Sequence, residues 1–480
     1  MDNGRIDALK KEASFLNDVL NDHEMSFFRF ESTNKRRAEF YIKAFLEKAS
    51  LYMQNSELSP FLEKLRKTCF SNGLGESSSK IQRFVTPILK LSDDILSLIG
   101  VFLSHEDLYK ISVTSKSILA RLSDTGKLIR IAKGEPVEHL QLTEKSLLAL
   151  LRRNDSIKIQ QLNLDRVQLT EIGALLELCT KIHTLSANYC DFNSFMPDPL
   201  PFHANIQELS LRCAQIDEDG ATTISKMLGL TRLDLSCNQV GIEGARAIGT
   251  MSNLKKLELS DNQIDEDGAT SISKMLGLTH LGLCNNKIGV QGSIAICAMS
   301  NLKSLDLSHN QICDEGARAI GTMSNLKSLN LTSAGIGVEG ARAISKMVNL
   351  ESLNLEWNKI GDEGVKAISL MANVKNLDLS RNLIGVIGAQ AISMMFGLTR
   401  LNLNGNKIGD EGVRAISRMG NVTNLGLRYN AISAAGAGFV GTMASLKSLD
   451  LRYNDISFPV WKQLSKDFEA RGVFFRCNNN

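Results

Sequence analysis

The chain has 480 residues, with 55 lysines and arginines against 52 aspartates and glutamates, and a formal net charge of +3. This near-balance gives no reason to expect nucleic acid or an anionic membrane as a partner. The hydrophobic content of 43% is typical of a folded protein, and no run of about 18 apolar residues, the length that crosses a membrane, occurs.

The first 70 residues predict helices at Arg5–Leu20, Lys35–Met53 and Leu58–Cys69. The opening stretch, MDNGRIDALKKEASFL, lacks the apolar core and small-residue cleavage site of a signal peptide. Residues 71–84 follow as a linker, because SNGLGESSS is rich in glycine and serine.

Residues 85–125 predict a small helical segment built on LSDDILSLIGVFLSHEDLYKISVTSKSILARL. Apolar residues recur there at helical spacing, and Ser92 is a suitable N-cap. Three short helices in so few residues form a bundle with little core of its own. Such a bundle either caps the structure that follows or docks onto another protein.

This segment resembles an F-box. The matching residues are Leu91, Asp93, Asp94, Ile95, Leu96, Phe102, Leu103, Asp107, Leu108 and Lys116. Ser92 stands where the family has proline, and Ile118 where it has tryptophan. The resemblance implies that Leu91, Ile95, Leu96, Leu103 and Leu108 bind the adaptor subunit of a cullin-type ubiquitin ligase. The alternative is a helical cap on the structure that follows.

Residues 126–158 form a connector and N-terminal cap, with a predicted helix at Leu147–Arg153. A leucine pattern then fills residues 159–457. From Leu230 its copies recur every 24 residues, and three degenerate copies start at Ile159, Ile182 and Ile206. One copy reads LKKLELSDNQIDEDGATSISKM from Leu254.

This period and spacing predict an α/β leucine-rich-repeat solenoid. Counting Leu254 as position 1, the leucines of positions 1, 4 and 6 point inward from a short strand. The strands stack in parallel on the concave face, because helices on the convex face need more room. Gly268 and Ala269 are expected where the helix comes closest to the sheet.

Asparagine at position 9 is expected to satisfy backbone groups where the strand ends, which makes a ladder through the array. Ala214 and Ala334 interrupt this ladder. After the last repeat, residues 458–480 predict a capping helix and tail. Trp461, Leu464 and Phe468 would seal the last layer of the core.

The 24-residue length and the phrases IGDEGVKAI and GARAI resemble the GALA-type repeats of bacterial F-box effectors, and more loosely ribonuclease-inhibitor-like repeats. With the F-box, the resemblance implies a ubiquitin-ligase substrate receptor whose concave face holds the target. Its location would be the cytoplasm, and the host cytoplasm if the protein is a secreted bacterial effector. Alternatives are a scaffold or inhibitor without a ligase role, a ligase with its own cysteine nucleophile, and a GTPase-activating repeat protein.

Positions 3, 5, 7 and 8 of each repeat face the concave surface. Aromatic and arginine side chains, which dominate binding hot spots, accumulate at these positions toward the C-terminus. The predicted target-binding residues are Trp357, Arg381, Arg400, Arg428, Tyr429, Arg452 and Tyr453. Gly405, between the two pairs at position 8, is expected to leave a dip for a partner side chain.

Enzyme motifs are absent from the sequence: there is no Walker-type loop, no HExxH and no GxSxG elbow. His280 and His309 are expected at adjacent outward positions, but no metal-ligand spacing occurs. The Asp-Glu-Gly triplets stand at helix starts, where the helix dipole favours acidic groups. No zinc-like C-x-x-C pair or flanking disulfide cap occurs among the nine cysteines, which predicts reduced thiols and a cytoplasmic location. The sequence therefore predicts a protein-binding molecule without catalysis, cofactor or metal.

Overall fold

The computed structural model describes residues 144–152, 160–170, 182–192 and 205–476. The predictions for residues 1–70, 71–84 and 85–125 lie outside these ranges. The F-box-like residues Leu91, Ile95, Leu96, Leu103 and Leu108 therefore lie outside the described residues as well.

Within the described ranges, fourteen three-residue strands form one parallel sheet in chain order. They are β1 Gln161–Asn163, β2 Thr184–Ser186, β3 Glu208–Ser210, β4 Arg232–Asp234, β5 Lys256–Glu258, β6 His280–Gly282, β7 Ser304–Asp306, β8 Ser328–Asn330, β9 Ser352–Asn354, β10 Asn376–Asp378, β11 Arg400–Asn402, β12 Asn424–Gly426, β13 Ser448–Asp450 and β14 Phe474–Arg476. Through the regular repeats each strand pairs with the strand 24 residues later, as Leu257 does with Leu281. The predicted α/β solenoid is confirmed.

Helices form the other layer. They are α1 Glu144–Arg152, α2 Glu218–Ser225, α3 Gly241–Ile248, α4 Glu266–Ile272, α5 Gly289–Ile296, α6 Cys313–Ile320, α7 Val338–Ile344, α8 Gly361–Ile368, α9 Val386–Ile392, α10 Gly409–Ile416, α11 Ala434–Gly441 and α12 Phe458–Ala470. In the described ranges, no helix combines the length and apolar character needed to cross a membrane.

The core lies between the two layers, and the repeat pattern dictates it. In the repeat that starts at Leu254, the inward side chains of the strand and helix are all 3% exposed or less: Leu254, Leu257, Leu259, Ile264, Ala269, Ile272 and Met275. Burying one leucine or isoleucine side chain stabilises a fold by about 1.5–3 kcal/mol. Repetition of this layer is what holds the array together.

The glycine of the helix lies against the helix of the preceding repeat. A Cβ added at Gly268 would lie 2.6 Å from Cγ2 of Ile264 and 3.2 Å from Cβ of Ala245 in α3. At Gly364 the corresponding atoms belong to Ile360, at 2.5 Å, and to Ala341 in α7, at 3.1 Å. These small residues therefore allow neighbouring helices to approach each other.

Two kinds of repeat alternate along the array. In type-12 repeats the residue at position 12 has a positive φ: Gly241, Gly289, Cys313, Gly361 and Gly409. In type-10 repeats position 10 has it instead: Gln215, Gln263, Gly335, Leu383 and Ala431. The two types alternate from the repeat at Ile206 to the repeat at Val422. The exception is the junction of the repeats at Leu278 and Leu302, where two type-12 repeats are adjacent.

In type-10 repeats the N-cap residue of the helix is extended. The carboxylate that accepts hydrogen bonds from the first amides of the helix belongs either to the same repeat or to the preceding one. Asp217 and Asp265 cap their own helices, with Oδ1 of Asp217 accepting from Gly220 N at 2.8 Å. Further along, the carboxylate comes from position 13 of the preceding repeat. Oδ1 of Asp362, for example, accepts from Gly385 N at 2.7 Å and from Gly388 N at 3.0 Å.

Asp314 and Asp410 act in the same way on the helices that follow theirs. Burial opposes ionisation of Asp410, but hydrogen bonds from Ser433 and Gly436 outweigh it and lower the pKa of the carboxyl. The Asp-Glu-Gly triplets stand in the first turns of their own helices, as predicted, and their aspartates have a second role. Each of these three aspartates caps the helix of the next repeat and not its own.

The C-terminal segment closes the array as predicted and also extends it. Trp461, Leu464 and Phe468 of α12 are buried, at 5%, 7% and 0% exposure. After α12 the chain adds β14, which pairs with β13 in parallel. Phe475 of β14 lies 5.0 Å from the ring of Phe468. Sequence analysis placed no strand here, because the segment lacks the repeat pattern.

Candidate partner-binding surface

The candidate site is built on position 8 of the repeat, where the chain leaves each strand. This residue has a positive φ throughout the regular array, for example 56° at Trp357 and Arg381, 53° at Tyr429 and 55° at Tyr453. A left-handed conformation is strained for bulky residues, by about 1–3 kcal/mol. It persists because the next residue, at position 9, is held firmly in the core.

The position-9 asparagines hold the turn, as the predicted ladder requires. Oδ1 of Asn358 accepts from Ala334 N at 3.2 Å and Ile336 N at 2.9 Å. Its Nδ2 donates to the carbonyls of Leu331 at 2.8 Å, Leu355 at 3.0 Å and Glu356 at 3.1 Å. The side chain thus ties two repeats together, and the outward direction of position 8 follows from it.

The alternation of repeats explains where the ladder is interrupted. An asparagine that follows a type-10 repeat accepts hydrogen bonds from two backbone amides, as Asn358 does. Asn430 follows a type-12 repeat and accepts only one, from Ile408 N at 3.3 Å. Ala214 and Ala334 both stand in type-10 repeats. The gaps fall where an asparagine would make fewer bonds.

A second asparagine ladder, at position 24, was missed by sequence analysis. Nδ2 of Asn253 donates to the carbonyl of Leu228 at 2.8 Å, and Nδ2 of Asn373 to that of Val348 at 2.8 Å. Similar bonds recur from Asn301, Asn325, Asn349 and Asn421. The recurring asparagine before the first leucine of these repeats was the available signal. This ladder joins the repeats at the helix-to-strand turn.

Of the seven predicted target-binding residues, five lie in stacked groups. The guanidinium of Arg381 lies 4.4 Å from the ring centre of Trp357. The rings of Tyr429 and Tyr453 are stacked 4.4 Å apart at an interplanar angle of 7°. The guanidinium of Arg428 lies 4.9 Å and 4.5 Å from these two rings. Trp357, Tyr429 and Tyr453 remain 57%, 48% and 47% exposed.

Gly405 separates the two groups, as expected, but its space is partly occupied. A Cβ at Gly405 would lie 3.0 Å from Cγ of Arg381. The stem of Arg381 therefore leans into the expected dip, and the opening there is narrower than the sequence suggested.

A groove of about 430 Å³ runs beside these stacked groups, across β9 to β13. Its lining combines asparagine amides with arginine and aspartate: Asn354, Asn376, Asn402, Asn404, Asn424, Arg400, Arg476, Asp378 and Asp450. Arg400 was predicted and lies in this lining. Arg476 was not predicted, because it reaches the groove only through β14.

Arg452 forms an ion pair with Asp450 of the same repeat. Its Nη2 lies 2.6 Å from Oδ2 of Asp450, and its Nε lies 2.9 Å from Oδ1. Burial opposes ionisation of Asp450, but the hydrogen bonds and charge of Arg452 prevail and lower the pKa of that carboxyl. Of the predicted residues, Arg452 is therefore the least available to a partner.

The other arginines of the surface form no ion pair among the described residues. In the described part of the chain, Arg381, Arg400, Arg428 and Arg476 have no carboxylate within 4.0 Å. Nε of Arg428 is buried and lacks a hydrogen-bond partner. The surface that holds the stacked groups and the groove therefore carries four arginines that form no ion pair within the described ranges. We call it the C-terminal patch and define it by Trp357, Arg381, Arg400, Arg428, Tyr429, Tyr453 and Arg476.

The N-terminal part of the same face has the opposite charge. Residue 282 is glycine, and the carboxylate of Glu258 fills the space that a side chain there would occupy. Burial, with the charges of Asp234 and Asp306, raises the pKa of Glu258 to about 7. Burial is the larger cause of this shift, and the two neighbouring carboxylates add to it.

His280 and His309 lie in adjacent repeats. His280 is at position 3 in β6, and His309 is at position 8 after β7, so the expectation of adjacent positions is wrong. Among the described residues no group of three or more histidine, cysteine, aspartate or glutamate side chains could hold a metal ion.

Comparison with known proteins supports the repeat assignment. Leucine rich repeat models match residues 204–264, 252–312 and 300–360, and also 398–417 and 442–457. A search of curated protein sequences found no match.

The chain is also similar to solved structures. It is similar to an internalin from Listeria monocytogenes at 19% identity, covering 74% of this chain and 97% of that one, with a TM-score of 0.47. It is similar to a chain of the mouse RP105/MD-1 complex at 18% identity, covering 70% of this chain and 63% of that one, with a TM-score of 0.50. At these identities the likeness concerns the fold alone.

Proposed function

We propose that this protein is a binding receptor that holds a protein partner on the C-terminal patch. The observation that carries the proposal is the stacking of exposed aromatic rings with arginines, the Tyr429–Tyr453 pair 4.4 Å apart foremost. Stacking fixes these side chains before a partner arrives, so that less conformational freedom is lost on binding. Tryptophan, tyrosine and arginine also dominate measured hot spots.

The partner segment would carry carboxylates. Arg381, Arg400 and Arg428 have no acidic partner in the described residues, whereas Asp450 is already neutralised by Arg452. Amides along the groove can bind the backbone of an extended segment beside its acidic side chains. The acidic region around Glu258 would repel the same segment and so orient it along the concave face.

Substitution of the stacked residues tests this proposal. Proteins captured by the full chain from eukaryotic and bacterial cytosol would be quantified by mass spectrometry for wild type, Trp357→Ala, Tyr429→Ala and Ser304→Ala. A specific partner should lose about 2 kcal/mol or more of binding free energy with the first two variants and almost none with Ser304→Ala. Binding that maps to the convex helices or to residues 1–70 would contradict the proposal.

We further propose the finer role of substrate receptor in a cullin-type ubiquitin ligase, as a bacterial effector in a host cytoplasm. The support is the F-box-like pattern at Leu91, Ile95, Leu96, Leu103 and Leu108. The observation that favours the alternative, a scaffold or inhibitor without a ligase role, is the departure at Ser92 and Ile118.

A pull-down with the eukaryotic F-box adaptor separates these roles. Leu96→Asp with Leu103→Asp should abolish adaptor binding, because burying a charge in an apolar interface costs several kcal/mol. The circular dichroism and melting temperature of the array should not change. Trp357→Ala is the matched control and should bind the adaptor normally. If the double variant still binds the adaptor, the F-box role is wrong and the scaffold role remains.

A further inference from the structure

Cys213 and Cys237 occupy position 8 of two neighbouring repeats. Both have the left-handed conformation of that position, with φ of 51° and 58°. Cys213 N donates to Ser236 O at 2.9 Å, so the register that pairs Ser210 with Asp234 continues to this point. Their Cα atoms are therefore about 4.8 Å apart, the spacing of adjacent strands.

Side chains at position 8 contact each other along the array. The Tyr429 and Tyr453 rings stack, and Nδ2 of Asn285 donates to Asp261. The thiol of Cys213 is close enough to that of Cys237 to contribute to raising its pKa. Both are reduced, and both are partly exposed. A solvent-borne oxidant can therefore reach two thiols that lie at equivalent positions of adjacent repeats.

We propose that Cys213 and Cys237 are a site of reversible oxidation, at which a peroxide or a small-molecule disulfide converts the two thiols into a disulfide between neighbouring strands. The Cα spacing falls within the window of about 4.4–6.8 Å that disulfides require. With hydrogen peroxide the O–O bond breaks and one S–S bond forms. Each thiol gives up its hydrogen, and two water molecules leave. A thiol reductant reverses the step.

Burial and the neighbouring charges determine how readily the pair reacts. Burial, followed by the hydrogen bond and charge of Cys213, raises the pKa of Cys237 to about 11, while Arg212 opposes this rise. Sγ of Cys237 also lies 3.7 Å from Oδ2 of Asp261. Because the thiolate is the nucleophile, disulfide formation should be slow at neutral pH and should accelerate as the pH rises.

The other described cysteines occupy other positions of their repeats. Cys190 is buried at position 9, with Sγ 3.1 Å from Leu164 O, and Cys297 lies in the helical layer. Cys284 is at position 7 and Cys313 at position 12. Within the described ranges, only Cys213 and Cys237 occupy the same position of neighbouring repeats. The site is independent of the C-terminal patch.

Peptide mapping of the full chain tests the proposal. Reduced protein would be treated with hydrogen peroxide, alkylated, and digested with trypsin without reductant. Residues 213–226 and 233–246 should appear as one linked species, two hydrogens lighter than the sum of the peptides, and dithiothreitol should separate them. Cys213→Ser and Cys237→Ser should each abolish this species, whereas Cys284→Ser should leave it unchanged.

The same experiment can overturn the proposal. Oxidation of Cys213 and Cys237 to separate sulfinic acids, without the linked species, would show that the thiols cannot reach disulfide geometry. Linkage of either cysteine to Cys284 instead would show that the register argument is wrong. Equal melting temperatures of the reduced variants would establish that each loss reflects chemistry and not misfolding.

Discussion

At the residue scale, the array depends on two adjacent side chains of opposite character. The asparagine at position 9 is buried and hydrogen-bonded to the preceding repeat, while position 8 is left-handed and points outward. The repeat spacing predicted the asparagine ladder and all residues of the C-terminal patch except Arg476. It could not predict that Arg452 is neutralised by Asp450 or that Arg381 leans over Gly405, because both depend on rotamers.

Asn358→Ala should destabilise the array by about 1–3 kcal/mol, because it leaves buried backbone groups unpaired. The amides of Ala334 and Ile336, which donate to Oδ1 of Asn358, should lose protection in hydrogen exchange. Asn430→Ala is the matched control and should cost less, since Asn430 makes three such bonds and Asn358 five. Unchanged protection at both sites would mean that water replaces the side chain.

At the scale of the element, each helix start is determined by its neighbour as well as by its own sequence. One leucine pattern accommodates both type-10 and type-12 repeats, so periodicity could not distinguish them. The distinction depends on whether position 10 or position 12 adopts the left-handed conformation. Leu383 and Ala431 adopt it without being glycine, so the residue type at position 10 did not predict this conformation.

Asp362→Ala should destabilise α9 and not the helix that contains Asp362. Loss of this cap should cost about 0.5–2 kcal/mol, the range measured for N-cap removal. Hydrogen exchange should quicken at Gly385 and Gly388, whose amides donate to Asp362. Glu363→Ala, one residue away, removes only an exposed ion pair with Lys366 and should cost less. An effect confined to α8 would refute capping between repeats.

At the scale of the whole molecule, the described residues form a stack in which each layer contacts mainly its neighbours. The 24-residue period was sufficient to predict the solenoid, since each repeat can bury its leucines only against the next. β14 was not predictable in this way. It joins the sheet because Phe475 pairs with Leu449 and the Phe475 ring packs on α12. Neither interaction produces a periodic pattern in the sequence.

Phe468→Ala should therefore loosen one end of the array before the rest. The ring is fully buried, and removing it should cost about 3–5 kcal/mol. Protection from hydrogen exchange should fall first in α12, β14 and β13, and should remain at its wild-type level in β5 and β6. A uniform loss along the chain would mean that the array unfolds as one cooperative unit.

The alternation of repeat types has a consequence for how such an array can change in length. Excising residues 350–397 would remove one type-12 and one type-10 repeat and would leave unlike repeats in contact at the new junction. Excising 350–373 alone would join two type-10 repeats, and the helix at 386 would lose Asp362, its cap. Forty-eight residues, and not twenty-four, are thus the unit that can be gained or lost without a misfit. The junction of the repeats at Leu278 and Leu302 marks where this array departs from pairwise growth.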